Sequence, residues 1–130
     1  MDLKIFLIED DEDDIELLHD ALRRHGISFH LDTVRDGEAA LNYLRPGASI
    51  PDIIILDMNL PKVHGRDLIP AIRSAQDFRN VPLLILTTSS SPHDIDYAYK
   101  NGANKYLQKP TTTDGIRETI ATILELVGQK

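Results

Sequence analysis

Apolar and polar positions along the 130-residue chain alternate between short continuous apolar runs and longer stretches with apolar residues at helical spacing. The first run, residues 3–8, predicts a strand. A helix follows over about 13–25, with Ile15, Leu18 and Leu22 on one face and Gly26 as its stop. A second strand over 29–34 leads into a helix over 36–44. The run "DIIILD" at 52–57 is apolar and β-branched between its two carboxylates, as expected of a central strand covered on both faces. A third helix covers about 66–74, interrupted early by Pro70, and "VPLLILT" at 81–87 gives a fourth buried strand. Pro92 opens a helix to about Lys100, and "KYLQ" at 105–108 is a short fifth strand. Thr113 or Asp114 caps a last helix, which carries Ile116, Ile120, Ile123, Leu124 and Val127 at helical spacing and ends close to Lys130.

Five strand–helix alternations, with no linker, internal repeat or low-complexity block, predict an α/β fold. A parallel sheet with right-handed crossovers and helices on both faces satisfies them. Ligands of such folds gather beyond the carboxyl ends of the strands, near the point where strand order reverses. The length fits one compact domain, so residues 1–130 are expected to form a single unit with no output domain.

Composition narrows the function classes. Hydrophobic residues at 42% and charged residues at 27% are ordinary for a globular protein, and no long apolar segment or basic leader is present. A cytoplasmic protein without membrane insertion is expected. The absence of cysteine excludes disulfide and thiolate chemistry. His19, His25, His30, His64 and His93 show no zinc-like spacing. The net charge of -7 fits a nucleic-acid backbone poorly, so direct nucleic-acid binding is not expected. Much of the acidity is concentrated at Glu9, Asp10, Asp11, Glu12, Asp13, Asp14 and Glu16, and the simplest reading of that run is a solvated start to a helix.

The residues at the strand ends change that picture. Glu9 and Asp10 follow the first strand, Asp57 ends the third, Thr87 and Thr88 follow the fourth, and Lys109 follows the fifth, directly before Pro110. Carboxylates gathered at one edge repel one another unless a cation neutralises them. Oxygen donors on loops suit Mg²⁺, whereas the spacing and glycine of an EF-hand calcium loop are missing. Lys109 adds a positive charge opposite the ion, and Thr87 a hydroxyl between them. Together they form a cradle for a phosphoryl group carried on a carboxylate.

The segments "LIEDD", "LDMNLPKVHG", "LLILTTSS" and "YLQKP", in this order, resemble the receiver domain of two-component response regulators over essentially the whole chain. The resemblance implies a (βα)5 flavodoxin-like fold with strand order 2-1-3-4-5. It implies that Asp57 is the phosphoacceptor, and that Glu9, Asp10, Asp57 and the main-chain carbonyl of Asn59 hold Mg²⁺. It also implies that Lys109 binds the phosphoryl group across a cis bond to Pro110, and that Thr87 and Tyr106 act as switch residues. Blander readings stand beside these: Asp11 to Asp14 cap and solvate a helix, Tyr106 packs in a strand, and Ser90 or Ser91 caps the helix at Pro92. Pro61 and Gly65 shape a turn, and His64 lies in an exposed loop.

A sensor histidine kinase is the implied phosphodonor, so the domain would catalyse its own phosphorylation and dephosphorylation without being a metabolic enzyme. Longer matches, such as "EDDEDDIELLHDALRRHG", are similar to single-domain receivers paired with bacterial phytochromes. These imply a bacteriophytochrome kinase, a homodimer through the fourth-helix, fifth-strand and fifth-helix face, and a possible downstream phosphotransfer protein. "HG" at 64–65 and "KPTTT" at 109–113 depart from many relatives. A phosphorylation-independent adaptor on the same scaffold is the alternative. A flavodoxin-like carrier would not place six carboxylates where its phosphate sits, and a haloacid dehalogenase-type phosphohydrolase would carry its nucleophile after the first strand.

Overall fold

Ile53, Ile54, Ile55 and Leu56 are each at most 1% exposed, because helices cover both faces of the strand they form. This computed structural model describes residues 2–128. In chain order the elements are β1 (Leu3–Ile8), α1 (Glu12–Arg24), β2 (Phe29–Val34), α2 (Gly37–Tyr43) and β3 (Ile53–Leu56). These are followed by α3 (Gly65–Ser74), β4 (Leu83–Thr87), α4 (Pro92–Lys100), β5 (Lys105–Gln108) and α5 (Thr113–Leu126). All five strands are parallel, in the order β2-β1-β3-β4-β5. The expected fold class and strand order are those observed.

Alternation along the strands divides the core in two. Ile5, Leu7, Ile53, Ile55, Leu84 and Leu86 face α1 and α5, where Leu18, Leu22, Ile120 and Ile123 meet them. Phe6, Ile8, Ile54, Leu56, Leu83 and Ile85 face the other way, against Ala40, Leu68, Ile69, Ile72 and Ala98 of α2, α3 and α4. Strand order reverses around β1, whose neighbours are β2 and β3, and this reversal sets Glu9 and Asp10 beside Asp57.

Several expectations are corrected in detail. Thr112 caps α5 by accepting from the Gly115 amide at 3.0 Å, one residue before the expected Thr113 or Asp114. Helix α5 ends at Leu126, and the end expected near Lys130 lies outside the described residues. Pro70 does not interrupt α3, which runs through it. Ser91 caps α4, and the exposed His64 caps α3, its Nδ1 accepting from the Arg66 amide at 3.1 Å. The Lys109–Pro110 bond, expected cis, is trans, since no cis peptide occurs among the described residues. Trans is the form that an Xaa–Pro bond ordinarily favours. It suffices here: the Lys109 amide donates to Thr87 O at 2.8 Å, and the ammonium still reaches the carboxylates. Gly65 is required where it sits, because a Cβ there would lie 2.5 Å from Met58 Cα and 2.6 Å from Asp57 O.

Candidate functional site

The loops after β1, β3, β4 and β5 converge on one acidic basin lined by Asp10, Asp57, Asn59, Thr88 and Lys109, with the start of α1 along its side. Asp57 follows β3 directly and is only 4% exposed. Its Oδ1 accepts from Thr87 Oγ1 at 2.8 Å and from the Asn59 amide at 3.1 Å, and its Oδ2 accepts from Lys109 Nζ at 3.0 Å. Thr87 is fully buried at the end of β4, so its hydroxyl has a fixed direction. Thr87 and Lys109, read from the sequence as the hydroxyl and ammonium of the phosphoryl cradle, thus both reach one carboxylate.

Glu9, Asp10 and Asp57 each bring a carboxylate oxygen within 4.8 Å of the others, and no comparable group occurs among the described residues. At that separation each pair of charges repels by roughly 3–4 kcal/mol at an effective dielectric constant near 20. Glu9 is buried, Asp10 exposed. Burial raises the Glu9 carboxyl to about 7 against the pull of Lys109, and the Asp57 charge pushes the same way as burial. For Lys109, burial disfavours the ammonium, but hydrogen bonds to Asp14, Glu9 and Asp57 outweigh it and hold the pKa above the usual lysine value. A set of hard carboxylate oxygens, with no nitrogen or sulfur donor, fits magnesium. Asn59 lies in the basin wall, where its carbonyl was expected to serve as a ligand.

One contact was not foreseen from sequence: Asp14, read as a helix-start residue, places Oδ2 2.6 Å from Lys109 Nζ. Tyr106 packs inward at 9% exposure, in keeping with the reading that it packs in a strand, its hydroxyl donating to Ser89 O at 2.9 Å. The Ser89 hydroxyl in turn donates to Asp94 Oδ2 at 2.8 Å, tying the β4–α4 loop to α4. The run of acidic residues hides Asp14 in the sequence, and no spacing within it pointed to Lys109.

The response regulator receiver domain model matches residues 5–121. The probable methanogenesis regulatory protein FilR2 of Methanothrix harundinacea is 38% identical over 125 residues, covering 93% of this chain and 81% of that protein. Among solved structures, the phosphorylated cyanobacterial phytochrome response regulator RcpA superposes with a TM-score of 0.88 at 34% identity, covering 100% of this chain and 97% of that one. The receiver domain of the sensor histidine kinase PA1611 of Pseudomonas aeruginosa PAO1, with magnesium coordinated in its active-site cleft, gives 0.82 at 26% identity, covering 98% and 99%.

Proposed function

Because the chain belongs to the response regulator receiver domain family, we propose that it takes a phosphoryl group onto Asp57 from a sensor histidine kinase and signals through the face formed by α4, β5 and α5. The observation that carries this reading is the convergence of a buried hydroxyl at 2.8 Å and an ammonium at 3.0 Å on one carboxylate beside Glu9 and Asp10. A carboxylate oxygen of Asp57 attacks the phosphorus of a phosphohistidine. The new O–P bond forms as the P–N bond breaks, and its electron pair stays on the imidazole. Lys109 donates to a phosphoryl oxygen, and Thr87 follows the phosphoryl group with its hydroxyl. Glu9, Asp10, Asp57 and Asn59 would hold magnesium, which when bound supplies positive charge to the transferred oxygens. In this reading the domain accelerates its own phosphorylation, and later loss of phosphate to water, without acting on a metabolite.

Thr87 and Tyr106 are the switch residues of the proposal. Tyr106 is inward and Thr87 points at Asp57 in this structure, so phosphorylation stabilises an arrangement the fold already reaches. Likeness to RcpA supports a phytochrome-linked kinase as donor, acting on this domain in the cytoplasm, and a single receiver unit over 1–130. Tyr99, 44% exposed on α4 with its hydroxyl accepting from the Tyr106 amide at 3.0 Å, supports the α4–β5–α5 face as a homodimer contact. Light scattering should show a dimer, and a monomer mass both with and without phosphate would remove that part.

The direct test is incubation with acetyl phosphate and Mg²⁺, read by intact mass. One phosphoryl adduct is expected, absent in Asp57→Asn and absent in chelator. An adduct that survives the Asp57→Asn substitution would sink the assignment. No adduct on folded wild-type protein would favour the phosphorylation-independent adaptor.

A further inference from the structure

Three separate chain segments hold the Lys109 ammonium: Asp14 Oδ2 at 2.6 Å, Glu9 Oε1 at 2.8 Å and Asp57 Oδ2 at 3.0 Å. Asp14 and Asp57 accept hydrogen bonds from it, and Glu9 completes the set as an ion pair. Asp14 stands outside the oxygen group suited to a metal, which is Glu9, Asp10 and Asp57. Its place is set independently of the site, because Asp11 caps α1 by accepting from the Asp13 amide at 2.9 Å and the Asp14 amide at 3.2 Å. The main chain of Lys109 is fixed to β4 through Thr87 O, its side chain is 13% exposed, and its ammonium is aimed by the carboxylates around it.

We infer that Asp14 is a positioning residue for phosphoryl transfer, holding the Lys109 ammonium so that one N–H stays directed at Asp57; this rests on the phosphoacceptor reading above. Without Asp14 one N–H is freed beside a basin lined by Asp10, Asp11, Glu12 and Asp13, and the ammonium gains orientations that turn away from Asp57. Small displacements of a charge-stabilising group cost rate steeply. Asp14 lines the same basin but lies outside the Glu9, Asp10 and Asp57 oxygen group, so it acts through Lys109.

The experiment is a double-mutant cycle at saturating Mg²⁺, timing acetyl phosphate labelling of wild type, Asp14→Ala, Lys109→Ala and the double variant by intact mass. Asp14→Ala should slow labelling about tenfold in the wild-type background and by less than twofold once Lys109 is gone. Asp14→Asn, which keeps an acceptor but not the charge, should fall between. Should Lys109→Ala label too slowly to time, the same cycle is read from the affinity for beryllium trifluoride, an acyl-phosphate mimic. Equal losses in both backgrounds, or no loss in either, would overturn the inference and leave Asp14 a helix-start charge. Absence of any wild-type adduct would instead overturn the phosphoacceptor reading itself.

Discussion

Glu9 is drawn two ways: burial and the charge of Asp57 favour its protonated form, while Lys109 and the Asp11 amide favour the carboxylate. With the pKa raised from 4.5 to about 7, the folded chain holds a proton at Glu9 that the unfolded chain releases. That contribution to stability is complete below about 4.5 and is lost as pH rises through about 7. In chelator, Glu9→Gln should therefore gain stability relative to wild type between pH 5 and pH 8, by about 2–3 kcal/mol. Urea melts at the two pH values measure the difference, and a gap constant with pH would refute the titration. Glu9, Asp57 and Lys109 were legible in the sequence because each directly follows a strand that the pattern predicts, and a parallel sheet collects strand ends at one edge. Asp14 was not, because its partner lies 95 residues away and six neighbouring carboxylates look alike until α1 fixes their directions.

Elements are joined by a device that no periodicity announces. Arg73, in the last turn of α3, donates from Nε to Gly102 O at 3.0 Å and from Nη1 to Val81 O at 2.7 Å and Phe78 O at 3.1 Å. Nη2 reaches Asn104 Oδ1 at 2.9 Å, an oxygen that also accepts the Leu83 amide. One guanidinium thus ties α3, the start of β4 and the α4–β5 loop, and Gly102 leaves room for it, since a Cβ there would lie 2.7 Å from Arg73 Cγ. Arg73→Ala strands several carbonyls at once and should cost about 2–4 kcal/mol in denaturant melts. Arg73→Lys should recover little of this, because a point-like ammonium cannot span the same acceptors. A loss below about 0.5 kcal/mol would show that water replaces the clamp. β1, β3 and β4 were readable at this scale because burial writes them as apolar runs. Caps were less so: in "TTT" at 111–113 each threonine offers the same hydroxyl, and only backbone direction selects Thr112.

For the whole molecule, the net charge of -7 is distributed unevenly, with the acidic basin at the carboxyl edge of the sheet. The α/β class followed from five alternations of strand and helix, but composition alone did not separate a general acidic surface from a specific cation site. Stability distinguishes the two. An ion that binds only the folded chain stabilises it by RT ln(1 + [L]/Kd), which is about 1.4 kcal/mol at ten times Kd. For a chain of 130 residues this corresponds to a rise in Tm of about 5 °C. Sodium chloride at matched ionic strength only screens repulsion between exposed charges, and it should raise Tm by clearly less. Asp57→Asn removes one of the three clustered carboxylates and should shrink the magnesium-specific part while leaving the sodium response in place. Equal shifts from the two salts in wild type would mean that the basin is merely a screened acidic surface, and the metal-dependent chemistry proposed for Asp57 would lose its basis.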